Sequence, residues 1–204
     1  MFGKLAADVL GLSDVGVVVK PKDYDKVDAD DYVMHEDNEK IYFLIKSKSD
    51  EYCFTNLALI HLDGKSATSK KRTLRRFSYH THKITNVSLE TAGTVDLDVE
   101  IKFTMGAEHF SIDVNKKHLG ELKDLYKALI KISSLTHDNE IALQHARESL
   151  GVAQSTISSV ANLQADVAAQ FRTLNQYAFD WLTEAHEKYV VKDFGKVFET
   201  YIHN

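Results

Sequence analysis

The chain is 204 residues long, 44% hydrophobic and 27% charged, a profile that supports a packed domain and excludes a disordered chain. Its formal net charge of −5 argues against general nucleic-acid binding, which needs a basic surface. The charge is uneven: residues 1–137 carry 20 Lys/Arg against 21 Asp/Glu, whereas residues 138–204 carry 5 against 9. The acidic C-terminal third is therefore a poor candidate for docking on an anionic membrane.

Residues 1–12 read as a short amphipathic helix, with Phe2, Leu5, Val9 and Leu12 at helical spacing and Gly11 weakening its end. The leader has no basic stretch before a long apolar run, so it does not read as a signal peptide. No segment approaches the roughly 18–20 apolar residues of a spanning helix. The single cysteine, Cys53, allows no internal disulfide and fits a reducing compartment. Within Tyr52-Cys53-Phe54 it reads as a small buried hydrophobe. These features together predict a cytoplasmic protein.

The only proline, Pro21, opens an acidic stretch from Asp23 to Asp31, whose carboxylates read as solvated surface, as does Glu39 beyond it. Then the period becomes two. Ile41–Ile45, Glu51–Thr55, Ala58–Leu62, Arg72–Tyr79, Ile84–Leu89, Val95–Phe103 and His109–Val114 read as seven strands, punctuated by the turn Lys46–Asp50 and the turn signals Asp63-Gly64 and Ala92-Gly93. Val95, Leu97, Val99, Ile101 and Phe103 alternate with charged residues, so one face of that strand is buried and the other wet. Seven strands without an intervening helix predict an antiparallel barrel or sandwich.

From Leu119 the period is 3.6. Leu119, Leu122, Tyr126, Leu129 and Ile130 form an apolar stripe, flanked by Leu125 and Ile132, that can cap the sheets. Farther on, Leu143, Ala146, Leu150, Ala153, Ile157 and Val160 recur at heptad spacing. After a phase slip near Asn162 the seam resumes through Val167, Phe171, Leu174, Ala178, Trp181 and Ala185. Residues 138–190 are one long helix or, folded at the slip or at Gly151, a hairpin. Phe194, Val197, Phe198 and Tyr201 suggest a final short helix. Leaving such a seam in water forgoes about 1.5–3 kcal/mol per large side chain, so the helices need a partner: each other, another copy of the chain, or both. Leu143, Leu150, Ile157, Val160, Phe171, Leu174 and Trp181 are the expected oligomerisation residues.

The runs Asp23–Tyr32, Glu39–Lys48, Glu51–Asn56, Leu59–Gly64 and Val87–Gly93, in this order and followed by a capping helix, carry a family likeness. Residues 30–133 resemble the bacterial pleckstrin-homology (PH) domain family. Residues 138–203 resemble the helical oligomerisation extension behind that domain in YvbH-like proteins of Gram-positive bacteria. The resemblance implies an α+β chain: a seven-stranded PH-like barrel or sandwich capped by one helix, followed by a helical hairpin or long-helix extension. It divides the chain into a helical lead-in (1–29), a PH-like domain (30–136) and an oligomerisation extension (137–204), and it implies a ring-forming or otherwise oligomeric protein. Phosphoinositide binding does not carry over with the fold. The first strand–strand loop offers Lys46 and Lys48, then Asp50 and Glu51, and no arginine.

Lys70, Lys71, Arg72, Arg75 and Arg76, with Lys83 beyond them, make the most basic segment. Its charges fit a solvated edge strand that resists aggregation, or a patch for an anionic surface or acidic partner. His80 and His82 fall on one face of an extended segment but lack a third ligand, and His61, His109, His137 and His145 are scattered, so no metal is expected. No nucleophile elbow, phosphate loop or dinucleotide fingerprint occurs, so no cofactor and no catalysis are expected. The expected function is a non-catalytic oligomeric scaffold, with a peripheral membrane module using the basic segment as the alternative. An unidentified protein partner is compatible with the first reading.

Overall fold

The computed structural model describes residues 14–64, 72–91, 98–160 and 167–203, with the side chains of 156–160 and 167 left aside. The expected N-terminal helix, together with Lys70, Lys71, Val95 and Leu97, lies outside these residues. The chain forms two compact units: one runs to Ser134 and also takes in residues from Lys192, and the other is Leu135–Val191.

The first unit is a sandwich of two antiparallel sheets. Strands β1 (Val17–Val18), β2 (Ile41–Lys46), β3 (Asp50–Thr55), β4 (Ala58–Gly64) and β5 (Arg72–Ser78) lie side by side in that order. Strands β6 (Ile84–Glu90), β7 (Asp98–Met105) and β8 (Glu108–Asn115) form the second sheet. All seven strands read from the sequence are present, and the two sheets remain separate rather than closing into a barrel. Strand β1 is additional. Its two residues pair with Ile45 and Lys46, while Gly16 just before it bridges in parallel to Val114 of β8. The sheets are thus laced along one border, and glycine is what permits the approach. A Cβ on Gly16 would lie 2.8 Å from Ile45 Cγ2 and 3.0 Å from the Asp113 carbonyl oxygen.

Aromatic side chains fill the space between the sheets. Phe54 meets Phe103 at 6.1 Å, and Phe110 takes edge contacts from Tyr52 and Phe77 at 6.4 and 5.2 Å. The alternate residues of the first sheet, Leu44, Cys53, Ile60 and Leu62, face the other way. They are covered by the segment Pro21–Asp37, wound into three short 3-10 turns, which presses Val27, Ala29 and Val33 onto them. The acidic stretch is therefore a lid on a second hydrophobic layer rather than loose surface.

Two buried carboxylates fasten this lid. Glu51 accepts the Ala29 N–H at 2.7 Å and pairs with Lys46. Glu39 accepts the Met34 N–H at 2.8 Å, the Thr55 hydroxyl, and Arg76 Nη2 at 2.9 Å. Glu39 is 1% exposed, which corrects its reading as solvated surface. A charge can sit there because backbone, hydroxyl and guanidinium donors replace its water.

Helix α1 (Leu119–Val160) begins in this unit. Leu122, Leu125, Ala128, Leu129 and Ile132 are buried, whereas Ile130 is 41% exposed. The buried stripe is rotated from the expected one: Ala128 and the flanking Leu125 and Ile132 are buried, and Ile130 is not. A third helical element, α3 (Gly195–Tyr201), returns after helix α2 (Val167–Tyr189). It buries Phe194, Val197 and Phe198 in the sheet unit. Phe198 stacks on Tyr42 at 5.4 Å, and Phe194 meets Tyr79 edge-on at 5.7 Å. The Phe194 N–H donates to the Asn56 carbonyl, Asn56 Nδ2 to Asp193 and the Tyr42 hydroxyl to Glu199, at 2.8, 2.8 and 3.0 Å. The family resemblance groups residues 192–204 with the helical extension, whereas the contacts they make lie in the sheet unit.

Candidate interaction surfaces

The second unit is an antiparallel hairpin made from the rest of α1 and from α2. Trp181 donates its indole N–H to the Ala146 carbonyl at 3.0 Å. A groove of about 400 Å³ is shared by Ala142, His145 and Ala146 on one helix and by Trp181, Ala185 and Tyr189 on the other. Farther along, Leu150 and Ala153 share a second groove of about 340 Å³ with Phe171, Leu174 and Ala178. Residue numbers rise on one helix as they fall on the other, so the chain doubles back, which decides between the two arrangements open in the sequence.

The hairpin satisfies only part of the seam. Ala146 and Ala185 are buried where the helices meet, because small residues let two backbones approach. Leu143 and Leu150 are half-buried. Phe171 is 69% exposed, and Leu174, Tyr177, Phe179, Trp181 and Leu182 are open too. At about 100° per residue, Tyr177 and Phe179 flank the seam on opposite sides and widen the apolar arc of α2 to roughly 200°. A single neighbouring helix cannot cover an arc of that width. Sequence reasoning picked Phe171, Leu174 and Trp181 but not Tyr177, Phe179 or Leu182, which break the strict heptad. A count of aromatics on the whole helix finds Tyr177 and Phe179, and only a count of every large apolar residue finds Leu182. The side chains of Ile157 and Val160 lie outside the described residues.

The described arginines of the basic strand are paired within the fold. Arg76 is the partner of buried Glu39. Arg75 reaches Asp63 at 3.6 Å and Glu108 at 3.3 Å. Arg72 pairs with Asp28 at 3.4 Å and donates to the Ser49 carbonyl at 2.8 Å. The described part of the patch is thus engaged with the protein's own carboxylates rather than presented to an anionic partner. β5 is the outer strand of its sheet, so the edge-strand reading of the charges remains the better account. His80 and His82 stand in a turn, not on a strand face, and His82 packs edge-on against Phe77 at 5.5 Å. Among the described residues no group of three or more His, Cys, Asp or Glu is placed to hold a metal.

Several titrating groups are displaced from their ordinary range. Burial pushes the Cys53 thiol well up, with the Glu39 and Glu51 charges adding to it, so it is held as the unreactive thiol. The Tyr42 hydroxyl is pushed up to about 12 by burial and then by its hydrogen bond to Glu199. Burial raises the Asp50 carboxyl, but hydrogen bonds from His61 and Ser49 outweigh it and leave the group below its usual value.

The sandwich of sheets, its capping helix and the appended hairpin define the class. A family model for the bacterial PH domain matches residues 9–133, and one for the YvbH-like oligomerisation region matches residues 144–204. The chain belongs to the bacterial PH domain family. The Bacillus subtilis (strain 168) protein described as "Uncharacterized protein YvbH" is 57% identical over 204 residues, covering 100% of both chains. A crystal structure of a PH domain containing bacterial protein from Exiguobacterium sibiricum 255-15 aligns with a TM-score of 0.84 at 52% identity, covering 93% of this chain and 100% of that one. No helix among the described residues is long and apolar enough to cross a membrane.

Proposed function

We propose that the protein is a non-catalytic cytoplasmic scaffold that assembles with copies of itself through the helical hairpin. The observation that carries this reading is the uncovered arc of Phe171, Leu174, Tyr177, Phe179, Trp181 and Leu182. Those side chains continue the seam on which Leu150 packs, and the grooves at Leu150 and at Trp181 give an entering side chain a place to sit. The match to an oligomerisation region over residues 144–204 supports the same reading. Leu143, Leu150, Ile157, Val160, Phe171, Leu174 and Trp181 are the residues assigned to assembly, and the PH-like unit supplies the body that assembly multiplies and the surface for any further protein partner. The described arginines lend membrane docking through the basic strand little support, since Arg72, Arg75 and Arg76 are each paired internally, while Lys70 and Lys71 lie outside the described residues.

Light scattering on the purified chain tests the reading. The expected mass is a multiple of 23.1 kDa at micromolar concentration, and changing both Leu174 and Trp181 to glutamate should reduce it while the β-sheet signal persists. A native chain of monomeric mass would refute it.

A further inference from the structure

Four lysines from distant parts of the chain converge around one recess of the sheet unit. Its floor is the Val17–Val19 run together with Val27, and its volume is about 330 Å³, the lower end of the range for small-ligand sites. Lys20, Lys26, Lys46 and Lys117 stand around it. Lys20 is balanced by Glu121 at 3.3 Å, Lys26 by Asp23, which also lines the recess, and Lys46 by Glu51. Among the described residues no carboxylate is paired with the Lys117 ammonium. Among the described residues the rim therefore carries one more positive charge than the paired carboxylates neutralise, above an aliphatic floor.

We propose that the recess binds a small amphipathic anion, a phosphate or carboxylate group carried on a short aliphatic chain. The head group would sit between Lys20 and Lys117 at the open side, and the chain would lie on the valines. Val17 and Val18 are held rigidly because they pair with Lys46 and Ile45 of β2, so the floor exists before any ligand arrives. This site differs from the strand-β5 arginines and is independent of assembly through the hairpin.

Calorimetric titration of the full chain with octyl phosphate, below its micellar range, tests the proposal. One molecule should bind per chain, and inorganic phosphate, which lacks the tail, should bind roughly 100-fold more weakly. Lys20→Glu and Lys117→Glu, both at exposed positions, should each weaken octyl phosphate by about tenfold, with circular dichroism confirming the fold. Lys127→Glu, exposed on α1 outside the recess, should leave binding unchanged. Co-sedimentation with phosphatidic acid vesicles, abolished by the same two variants, would assign the head group to a lipid surface; binding of the soluble ligand alone would assign it to a free amphiphile. The proposal is overturned if octyl phosphate gives no saturable binding up to millimolar concentration, if both rim variants bind like the native chain, or if inorganic phosphate binds as well as the alkyl ester.

Discussion

Phe171→Glu is the sharpest perturbation of the proposed assembly. Phe171 is 69% exposed, so the hairpin asks little of it, and the substitution should change the stability of an isolated chain by no more than about 0.5 kcal/mol. An aromatic side chain of about 200 Å² that is 69% open leaves some 140 Å² to be covered on association. At about 25 cal/mol per Å² that area contributes about 3.5 kcal/mol per protomer, and a carboxylate forced into the same contact adds its own desolvation cost. A loss of this size corresponds to an association roughly 100-fold weaker or more. Sedimentation velocity over a dilution series of native and variant protein reads it directly, with denaturant midpoints recorded alongside to separate assembly from folding. If the variant keeps the native mass across a comparable dilution, Phe171 is not covered by another copy and the hairpin face is not the interface.

The arginines of β5 should separate by depth rather than by charge. Arg76→Leu strands Glu39, a carboxylate 1% exposed, and should cost about 3–5 kcal/mol in urea unfolding. Arg72→Leu removes an exposed pair and should cost no more than about 1 kcal/mol; equal costs would disprove the fastening role of Glu39. Tyr42 should contribute to an alkaline loss of stability. Its hydroxyl titrates near 10.0 when unfolded and is pushed up to about 12 in the fold, so the folded state holds the proton more tightly. Its stabilisation is complete below pH 10 and declines as the pH rises toward 12. Tyr42→Phe should flatten the stability profile over that window, and an unchanged slope would count against the contact with Glu199.

Much of the architecture is legible in local pattern. The seven strands from Ile41 to Val114 follow from their short apolar and alternating runs, and the start of α1 from its 3.6 period, although Ala128 is buried there and Ile130 of the expected stripe is 41% exposed. Phe171, Leu174 and Trp181 stand out by the same periodicity, although the hairpin leaves all three exposed. The acidic stretch was not. Its charges dominate the sequence, while the residues that matter, Val27, Ala29 and Val33, are spaced without a regular period because 3-10 turns and extended links alternate beneath them. The two-residue β1 is too short for any period to register.

Charge misled where pattern did not. Arg72, Arg75 and Arg76 are neighbours in the chain and look like one patch, yet their partners Asp28, Asp63, Glu108 and Glu39 are brought to them by four different parts of the fold. Lys20, Lys26, Lys46 and Lys117 show the converse, being scattered along the chain and gathered at one recess. Periodicity is a property of consecutive residues, so it settles which segments are strands and helices and which faces are oily. A salt bridge, a buried carboxylate or a pocket depends on side chains whose distances are set only when those segments pack. The same limit explains α3: its apolar spacing identifies a helix, but only contact with Tyr42 and Tyr79 decides that it belongs to the sheets.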